Sequence, residues 1–598
     1  MGFAAETARA DPPDPTQPYD YVVVGGGTTG LIAANRLANK GYTVAVIERG
    51  DYPSGNLSEV PGYNEKWFSP NPPDSKDIVW TWPTVPQVGD DNETTRTHMM
   101  GKMMGGSQAF TFVDYFRTTK GAFMNWAEQV GDDSWTWDNV LPYYQRSVYF
   151  TPPNSTLRGN NATPEYDLSN LVGDTPGPIE LTFPKYAQAF SSWVKMGLKE
   201  LLVGSNYGFS GGDIKGGSWV VNMINTTDGK RATTYTSYLR AAEDVQDKID
   251  VFNGTQAELI NFSTGDSPTA SSVHVSRNGS SFDITADKEV ILAGGPILTP
   301  QLLMVSGVGP KDILTSQNIS IILDKPGVGQ DYYDHILFGL THTVEVETTT
   351  ALLNETRLRE ACDKFQSNAE GILSSPGPDF VAFTDFPTDL RLNFSKQTIA
   401  DLATFPSDWP DVGIISYPSG ISEGPGENYA EIMAVPMTPM SRGSISLQGG
   451  SMADNPVLDP KWLSSQTDLE VAVASLQYLF RLFNTTTMSY ILGPSSSAPG
   501  VEEATWDDLA DLVKKSYRTL NHQSASCRMG RSDDPMAVVD SSGRVMGVNQ
   551  LRIVDPSAFP FLPPGFPLGT AYMVAEKITD SIIEGDAAGG DHEPRLDL

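Results

Sequence analysis

The chain has 598 residues, of which 39% are hydrophobic and 19% are charged. This length exceeds what one hydrophobic core serves and is ample for two joined domains, and the apolar fraction excludes wholesale disorder. The formal charge of −32, from 41 basic and 73 acidic residues, argues against nucleic acid or an anionic membrane surface as a partner.

Metal and disulfide chemistry have few candidate side chains. The chain contains two cysteines, Cys362 and Cys527, too few for a disulfide framework, a four-thiolate zinc site or an iron–sulfur cluster. None of the six histidines is paired as H-x-x-x-H or H-E-x-x-H. We therefore expect no metal centre.

The N-terminal residues 1–18 are polar and contain several prolines, which predicts a flexible tail. No apolar stretch reaches the roughly 18 to 20 residues that a membrane helix needs. Asn-x-Ser/Thr sequons are more frequent than chance gives, and they predict N-linked glycans and a secreted, extracellular protein. The sequons start at Asn56, Asn92, Asn154, Asn161, Asn225, Asn253, Asn261, Asn278, Asn318, Asn354, Asn393 and Asn484.

The first elements in chain order predict a dinucleotide site. The apolar run Tyr19–Val24 is typical of a buried parallel strand and leads into Gly25–Gly30, a G-x-G-x-x-G. Helical spacing follows over Leu31–Asn39, and a second strand over Thr43–Ile47 ends at Glu48. The glycines permit a tight turn and the close approach of a pyrophosphate, which a helix N-terminus attracts. Glu48 is placed to bind a ribose 2′-hydroxyl, so NADP is disfavoured and NAD and FAD remain alternatives.

Five further blocks follow along the chain. They are Gly101–Ser107, Glu289–Pro310, Pro326–His335, His522–Gly530 and Leu551–Pro560. In this order they resemble the signature segments of the glucose–methanol–choline (GMC) flavoprotein oxidoreductases, and the resemblance covers nearly the whole chain.

The resemblance implies an α/β fold, α+β overall, with a Rossmann-like FAD-binding domain and a substrate domain that contains an antiparallel sheet. The FAD-binding domain is expected over 19–60, 95–130, 215–335 and 515–590. The substrate domain and its lid segments are expected over 61–94, 131–214 and 336–514. Within that domain, Tyr429–Pro436 and Gly443–Gln448 predict a hairpin, and Asp468–Phe483 predicts a helix that packs inward.

By the same resemblance the cofactor is FAD. No histidine lies between Gly105 and Val113, so a non-covalent cofactor is expected. The glycine turn would hold the pyrophosphate, Glu48 the adenosine ribose, and the backbone at Ala257 the adenine. The residues expected to contact FAD are Gly25, Gly27, Thr28, Thr29, Gly30, Glu48, Arg49, Trp80, Gly101, Met104, Gly105, Gly106, Ser107, Phe110, Thr111, Phe112, Val113, Ala257, Gly294, Asp555, Pro567 and Leu568.

Alcohol oxidation requires a base that removes the hydroxyl proton while hydride leaves carbon for flavin N5, and histidine is the usual choice. His522 is the candidate base, and the resemblance assigns His335 to a structural Asp-His turn. The family's usual second His or Asn falls on Phe566, which can neither take a proton nor hydrogen-bond an alkoxide.

This departure leaves two interpretations open. In the first, His522 works alone or with a partner from elsewhere, and the enzyme is an FAD-dependent oxidase or dehydrogenase acting on the CH–OH group of a bulky or aryl alcohol. In the second, the scaffold performs a lyase or cyclase reaction with no net redox change. Aromatic side chains such as Trp80, Trp82, Phe110, Phe112 and Phe566 are expected to line a pocket for a planar small molecule. Oxygen or a quinone would reoxidise the flavin, and a monomer is favoured.

Overall fold

A computed structural model describes residues 13–53, 55–63, 77–90, 94–241, 247–263, 267–420, 427–497 and 504–588. The α-helices are α1 (Thr28–Ala38), α2 (Asn56–Glu59), α3 (Lys120–Val130), α4 (Trp137–Arg146), α5 (Ser155–Arg158), α6 (Leu168–Leu171), α7 (Ala189–Glu200), α8 (Gly295–Val305), α9 (Lys311–Ser316), α10 (Glu355–Asn368), α11 (Thr388–Arg391), α12 (Lys396–Leu402), α13 (Gln466–Phe483), α14 (Thr486–Ser489), α15 (Trp506–Ser516) and α16 (Leu568–Ala588). The strands are β1 (Tyr19–Val24), β2 (Val44–Ile47), β3 (Val79–Pro83), β4 (Thr97–Gly101), β5 (Val148–Phe150), β6 (Ile179–Thr182), β7 (Gly216–Trp219), β8 (Asn222–Met223), β9 (Ile249–Phe252), β10 (Gln256–Ser263), β11 (Thr269–Arg277), β12 (Ser280–Leu292), β13 (Val308–Gly309), β14 (Leu323–Asp324), β15 (Ile336–Val344), β16 (Phe380–Thr384), β17 (Val412–Tyr417), β18 (Tyr429–Pro436), β19 (Ser444–Leu447), β20 (Pro456–Asp459), β21 (Leu492–Ser496), β22 (Arg518–Thr519) and β23 (Leu551–Ile553).

The first of two seven-stranded sheets has the order β10-β11-β12-β1-β2-β9, with β23 also paired to β12. Strand β1 lies parallel to both β2 and β12, so Val22 is opposite Ala45 on one side and Val290 on the other. Its side chains are almost all buried, as expected for a central parallel strand covered on both faces. Helices α1 and α16 pack against each other beside this sheet. The predicted strand at Tyr19–Val24 is confirmed.

The second seven-stranded sheet has the order β21-β15-β18-β17-β16-β7, with β22 also paired to β15. Its strand pairs are antiparallel. A mainly parallel Rossmann-like sheet beside an antiparallel sheet confirms the predicted α/β, α+β overall, fold class.

The predicted hairpin is wrong. Strand β18 pairs with β15 and β17, and β19 pairs with β20 in a separate two-stranded sheet. Almost every side chain of β18 is buried, so this strand takes a central place with a neighbour on each edge. Ile445 of β19 is buried in a different cluster, with Trp82 and Leu458.

Two short strands from segments predicted for the FAD-binding domain lie in the second sheet instead of the first. Strand β7, from the 215–335 segment, and β22, from the 515–590 segment, both belong to the second sheet. The domain boundaries remain predictions, and these two strands are the places where the predicted FAD-binding segments contribute to the second sheet.

Helix α13 contains buried Leu476, Leu479 and Phe483 and packs against β18, as its spacing predicts. No helix among the described residues combines the length and apolarity that crossing a membrane demands.

Candidate active site

One large cavity connects the two sheets. It reaches the carboxyl ends of β1, β2 and β12 at Val24, Ile47 and Leu292, and it reaches the second sheet at Ile415 and Met433. Its volume is about 360 Å³, which lies within the roughly 300–1,000 Å³ that is typical of ligand pockets. Ligands of doubly wound sheets bind at this edge, beyond the carboxyl ends of the strands.

The glycine turn after β1 is packed so closely that side chains do not fit. Gly25 has φ +111°, and a Cβ there would lie 2.3 Å from the carbonyl oxygen of Ala293. A Cβ on Gly30 would lie 2.0 Å from the carbonyl oxygen of Gly25. Gly27 begins α1 without a side-chain cap, and Thr28 follows it on the cavity wall. The backbone N–H groups of this first turn therefore suit a pyrophosphate.

Glu48 follows β2 and is 8% exposed on the cavity wall. Its carboxylate accepts hydrogen bonds from the backbone N–H groups of Gly26 (2.9 Å) and Gly50 (2.7 Å). Burial raises the pKa of Glu48, and these backbone hydrogen bonds lower it. Arg49 and Ala257 line the same end of the cavity. A buried acceptor beside the glycine turn fits the ribose of an adenine dinucleotide.

The segment after β4 forms the middle of the wall. Gly106 has φ +63°, and a Cβ on it would lie 3.0 Å from Cα of Gly27. The wall residues from this segment and its neighbours are Trp80, Gly101, Gly106, Ser107, Phe110, Thr111, Phe112 and Val113. Trp82 does not line the cavity; its ring stacks on Trp80 at 5.6 Å.

Three predicted FAD contacts lie behind the wall instead of on it: Gly30, Met104 and Gly105. Gly30 is close to the Gly25 carbonyl, as described above. Met104 is fully buried with its sulfur beside Gly26, and Gly105 faces Tyr235. These residues shape the wall from the protein side, and their direct contact with FAD stays a prediction.

Gln108 is a wall residue that the sequence analysis did not select. Its side-chain nitrogen donates to Oγ1 of Thr28 (3.0 Å), and its side-chain oxygen accepts from the backbone N–H of Thr234 (2.9 Å). It therefore connects the start of α1 to the backbone at Thr234. Its position directly after Ser107 in the glycine-rich block was the available signal.

The C-terminal segments close the cavity. Asp555 accepts hydrogen bonds from the Gly295 backbone N–H (2.9 Å) and Thr299 Oγ1 (2.6 Å) at the start of α8. Gly294, Asp555, Pro567 and Leu568 all line the cavity. This part of the chain is therefore joined to the edge of the first sheet at the cavity wall.

His522 is half-buried on the wall, and its Nδ1 lies 3.1 Å from Nδ1 of His335. Burial, with His335 as a smaller contribution, holds the pKa of His522 well below its usual value. Burial also lowers the pKa of His335 to about 3. Both imidazoles are therefore neutral at ordinary pH, and the close nitrogen pair shares one proton. His335 belongs to the site, beyond the structural turn assigned to it from the sequence.

A bulge in the chain brings the two histidines together. Tyr333 pairs with Ser524 and Ile336 pairs with Thr519, so the four residues 520–523 lie opposite only two. Asp334 fills this bulge: Oδ1 accepts the His522 backbone N–H (2.7 Å), and Oδ2 accepts Thr519 Oγ1 (2.5 Å). Burial raises the pKa of Asp334 to about 7, against the hydrogen bonds from Thr519 and His522.

Phe566 stands beside the imidazole. Its ring centroid lies 5.2 Å from that of His522 and 4.6 Å from that of Phe116. The position that usually carries a second polar group is thus part of an aromatic cluster.

Cys527 is fully buried, and burial raises the pKa of its thiol, which favours a packing role over a chemical one. Across the described ranges, no three His, Cys, Asp or Glu side chains are grouped to hold a metal ion.

Comparison with known proteins adds independent findings. The family models described as GMC oxidoreductase match residues 19–337 and 439–575. The chain is 43% identical to dehydrogenase pyvF of Aspergillus violaceofuscus, over 96% of this chain and 91% of that protein. It is 39% identical to patulin synthase of Penicillium expansum, over 95% and 92% of the two chains. The solved structure of a fungal aryl-alcohol oxidase is similar with a TM-score of 0.81 and 25% identity, covering 95% of this chain and 99% of that one.

Proposed function

The chain belongs to the GMC oxidoreductase family, and from that premise we propose that it oxidises the CH–OH group of a bulky or aryl alcohol with His522 as the base. The chain is an FAD-dependent oxidoreductase, and FAD is its cofactor. Bound FAD supplies the acceptor, at flavin N5, for the hydride that leaves the alcohol carbon.

The observation that carries the proposal is the position of His522, whose imidazole lies on the cavity wall with its Nδ1 3.1 Å from Nδ1 of His335. When the shared proton sits on Nδ1 of His522, Nε2 is free to accept the hydroxyl proton of the alcohol. A neutral histidine is the form that general-base catalysis needs. His335 is thus the partner from elsewhere that the first interpretation allowed, in place of a polar group at Phe566.

The preference for a bulky or aryl alcohol rests on the wall opposite the glycine turn. That wall presents Leu337, Ile415 and Met433, and Phe566 covers one side of the base. Apolar and aromatic walls bind flat apolar molecules. The similar aryl-alcohol oxidase is named for this substrate class.

Secretion, N-linked glycans, a monomeric state and an oxygen or quinone acceptor are parts of the same proposal. Residues 1–12 of the predicted tail and the sequon Asn92 lie outside the described residues. Seven sequon asparagines are exposed, which supports glycosylation. They are Asn154, Asn161, Asn278, Asn318, Asn354, Asn393 and Asn484.

The test is anaerobic addition of aryl and aliphatic alcohols to the purified holoenzyme while flavin absorbance is followed. We expect bleaching with an aryl alcohol, and a loss of about 10²- to 10⁴-fold in bleaching rate for His522→Ala with FAD still bound. His274→Ala is the control, since His274 is a half-buried residue away from the cavity wall and is paired with Asp283 at 2.7 Å. Turnover with the flavin oxidised throughout would support the lyase or cyclase interpretation instead.

A further inference from the structure

The wall that the second sheet contributes to the cavity contains one cationic side chain. Its members are Leu337, Ile415, Tyr417, Met433, Arg518 and Thr519. The antiparallel register puts Leu337 opposite Arg518 and Ile415 opposite Met433, so paired side chains project from the same face of the sheet. A charged guanidinium in a mainly apolar wall is costly unless a group accepts hydrogen bonds from it.

Among the described residues, a single nitrogen of Arg518, Nη2, makes its side-chain contacts, with Glu431 and with the sulfur of Met433 at 4.0 Å. Its Nη2 donates to Oε1 of Glu431 at 3.0 Å, and its side chain keeps 37% exposure while that of Glu431 keeps 6%. Burial raises the pKa of Glu431, and Arg518 lowers it. Glu431 is not among the residues that line the cavity. The buried carboxylate of Glu431 projects from the same face of the sheet as Met433, and of this ion pair only the cation lines the cavity.

Gly339 makes this arrangement possible. A Cβ on Gly339 would lie 2.3 Å from Oε1 of Glu431, so only glycine leaves room for the carboxylate there. Arginine carries five N–H donors in a fixed plane, and the contact with Glu431 occupies one of its nitrogens. The remaining donors are available to a molecule in the cavity.

The other charged groups on the wall are less suited than Arg518 to bind an acceptor in the cavity. Asp114 is buried, burial raises its pKa well above the usual value, and Asn222 donates a hydrogen bond to it, so this carboxyl already has a partner within the protein. Glu48 and Arg49 lie at the dinucleotide end. Residues 519–521, between Arg518 and His522, also line the cavity, so the two side chains belong to one continuous stretch of the wall.

We propose that Arg518 selects alcohols that carry a second oxygen acceptor, a carboxylate or a carbonyl, on the body of the molecule. The guanidinium donates to that oxygen while the reacting hydroxyl faces His522. The inference rests on the proposed function, because the alcohol is the substrate assigned there. A charge-assisted hydrogen bond of this kind is worth about 10- to 100-fold in affinity.

Equilibrium binding tests the proposal without turnover. Benzoate, acetophenone and ethylbenzene have similar shapes and differ in the acceptor they carry. Each is titrated into the oxidised holoenzyme, and the shift in flavin absorbance gives a dissociation constant. We expect benzoate or acetophenone to bind about 10- to 100-fold more tightly than ethylbenzene, and the member of the pair that binds more tightly identifies the acceptor as anionic or neutral.

Two variants separate recognition from simple ion pairing. Arg518→Met should remove the preference for the acceptor, whereas Glu431→Gln should keep it because the guanidinium remains. Equal losses in both variants, or an unchanged preference in Arg518→Met, would overturn the proposal. Should Arg518→Met fail to retain FAD, Arg518→Gln serves in its place, since it keeps a neutral donor and predicts a reduced preference for benzoate.

Steady-state kinetics test whether Arg518 selects the substrate during turnover. The ratio of kcat/KM for 4-(hydroxymethyl)benzoate and 4-methylbenzyl alcohol should fall in Arg518→Met, mainly through KM. If no alcohol reduces the flavin while the binding preference holds, the proposed function fails and the acceptor site stands. If alcohols reduce the flavin with no acceptor preference in the wild type, the inference fails alone.

Discussion

Nδ1 of His335 lies 3.1 Å from Nδ1 of His522, and the two rings meet at 70°. The residues are 187 positions apart in the chain. Within the described part of the chain, Nε2 of His335 is buried without a hydrogen-bond partner, so its contact with His522 is the polar interaction that holds this ring. His335 thus places a polar nitrogen beside His522, the proposed base, where Phe566 offers only an aromatic ring.

Removing His335 should change both the rate and the pH dependence of flavin reduction. His335→Leu leaves Nδ1 of His522 without its partner, a loss of about 1–3 kcal/mol, or about 5- to 150-fold in rate. Because His335 contributes to lowering the pKa of His522, the acid limb of the pH–rate profile should move to higher pH. Stopped-flow reduction across pH checks both effects.

His335→Asn is the matched variant, because its amide oxygen can accept the Nδ1 proton. It should recover part of the lost rate. A His335→Leu enzyme with the wild-type rate and an unshifted acid limb would contradict a role for His335 in positioning the base.

Asp334 should hold the backbone of His522 in place. Asp334→Ala removes the acceptor of the His522 N–H (2.7 Å) and of Thr519 Oγ1 (2.5 Å). We expect a fall in kcat of about tenfold or more with a smaller change in KM, because the base moves while the apolar wall remains. Asp334→Asn keeps an acceptor for the His522 N–H and should stay near the wild-type rate.

The same carboxyl predicts a pH dependence of stability. Burial raises the pKa of Asp334 to about 7, above the unfolded value of about 3.9. Its stabilising contribution is therefore complete below pH of about 4 and is lost as pH rises through about 7. The thermal midpoints of the wild type and Asp334→Asn should diverge over this interval. The midpoint of the wild type should fall relative to that of the variant as pH rises. Parallel curves would rule the assignment out.

Glu48→Gln should weaken FAD binding. The carboxylate accepts from two backbone N–H groups, of Gly26 and Gly50, and an amide places an N–H₂ against one of them. We expect about 10- to 100-fold weaker binding, measured by the fluorescence of released FAD on dilution. Glu258→Gln is the control, since Glu258 follows Ala257 but is not among the residues on the cavity wall.

Gly30→Ala should disrupt the packing of the glycine turn against α1. Its Cβ would lie 2.0 Å from the Gly25 carbonyl oxygen and 3.1 Å from Cβ of Ala293. Forcing such an overlap costs about 1–3 kcal/mol or more, so we expect a lower thermal midpoint and reduced FAD content. Gly204→Ala is the control, because nothing lies within 4 Å of a Cβ there. Equal stability of both variants would refute the close-packing argument.

The dinucleotide end of the cavity follows from sequence alone because its parts are neighbours in the chain. Strand β1, the turn Gly25–Gly30 and Glu48 succeed one another within about 30 residues, the length of one βαβ unit. The spacing of their side chains therefore sets the geometry directly. The GMC resemblance added FAD and His522 for the same reason, since each block is a contiguous segment.

Tertiary structure decided the other half of the site. The pairing of β18 with β15 and β17 excluded the hairpin expected for it, and the bulge beside Asp334 placed His335 against His522. Arg518 faces the cavity because β22 joins the edge of β15. These contacts depend on which distant strands become neighbours, and a strand's own pattern of apolar residues specifies its faces but not its partners.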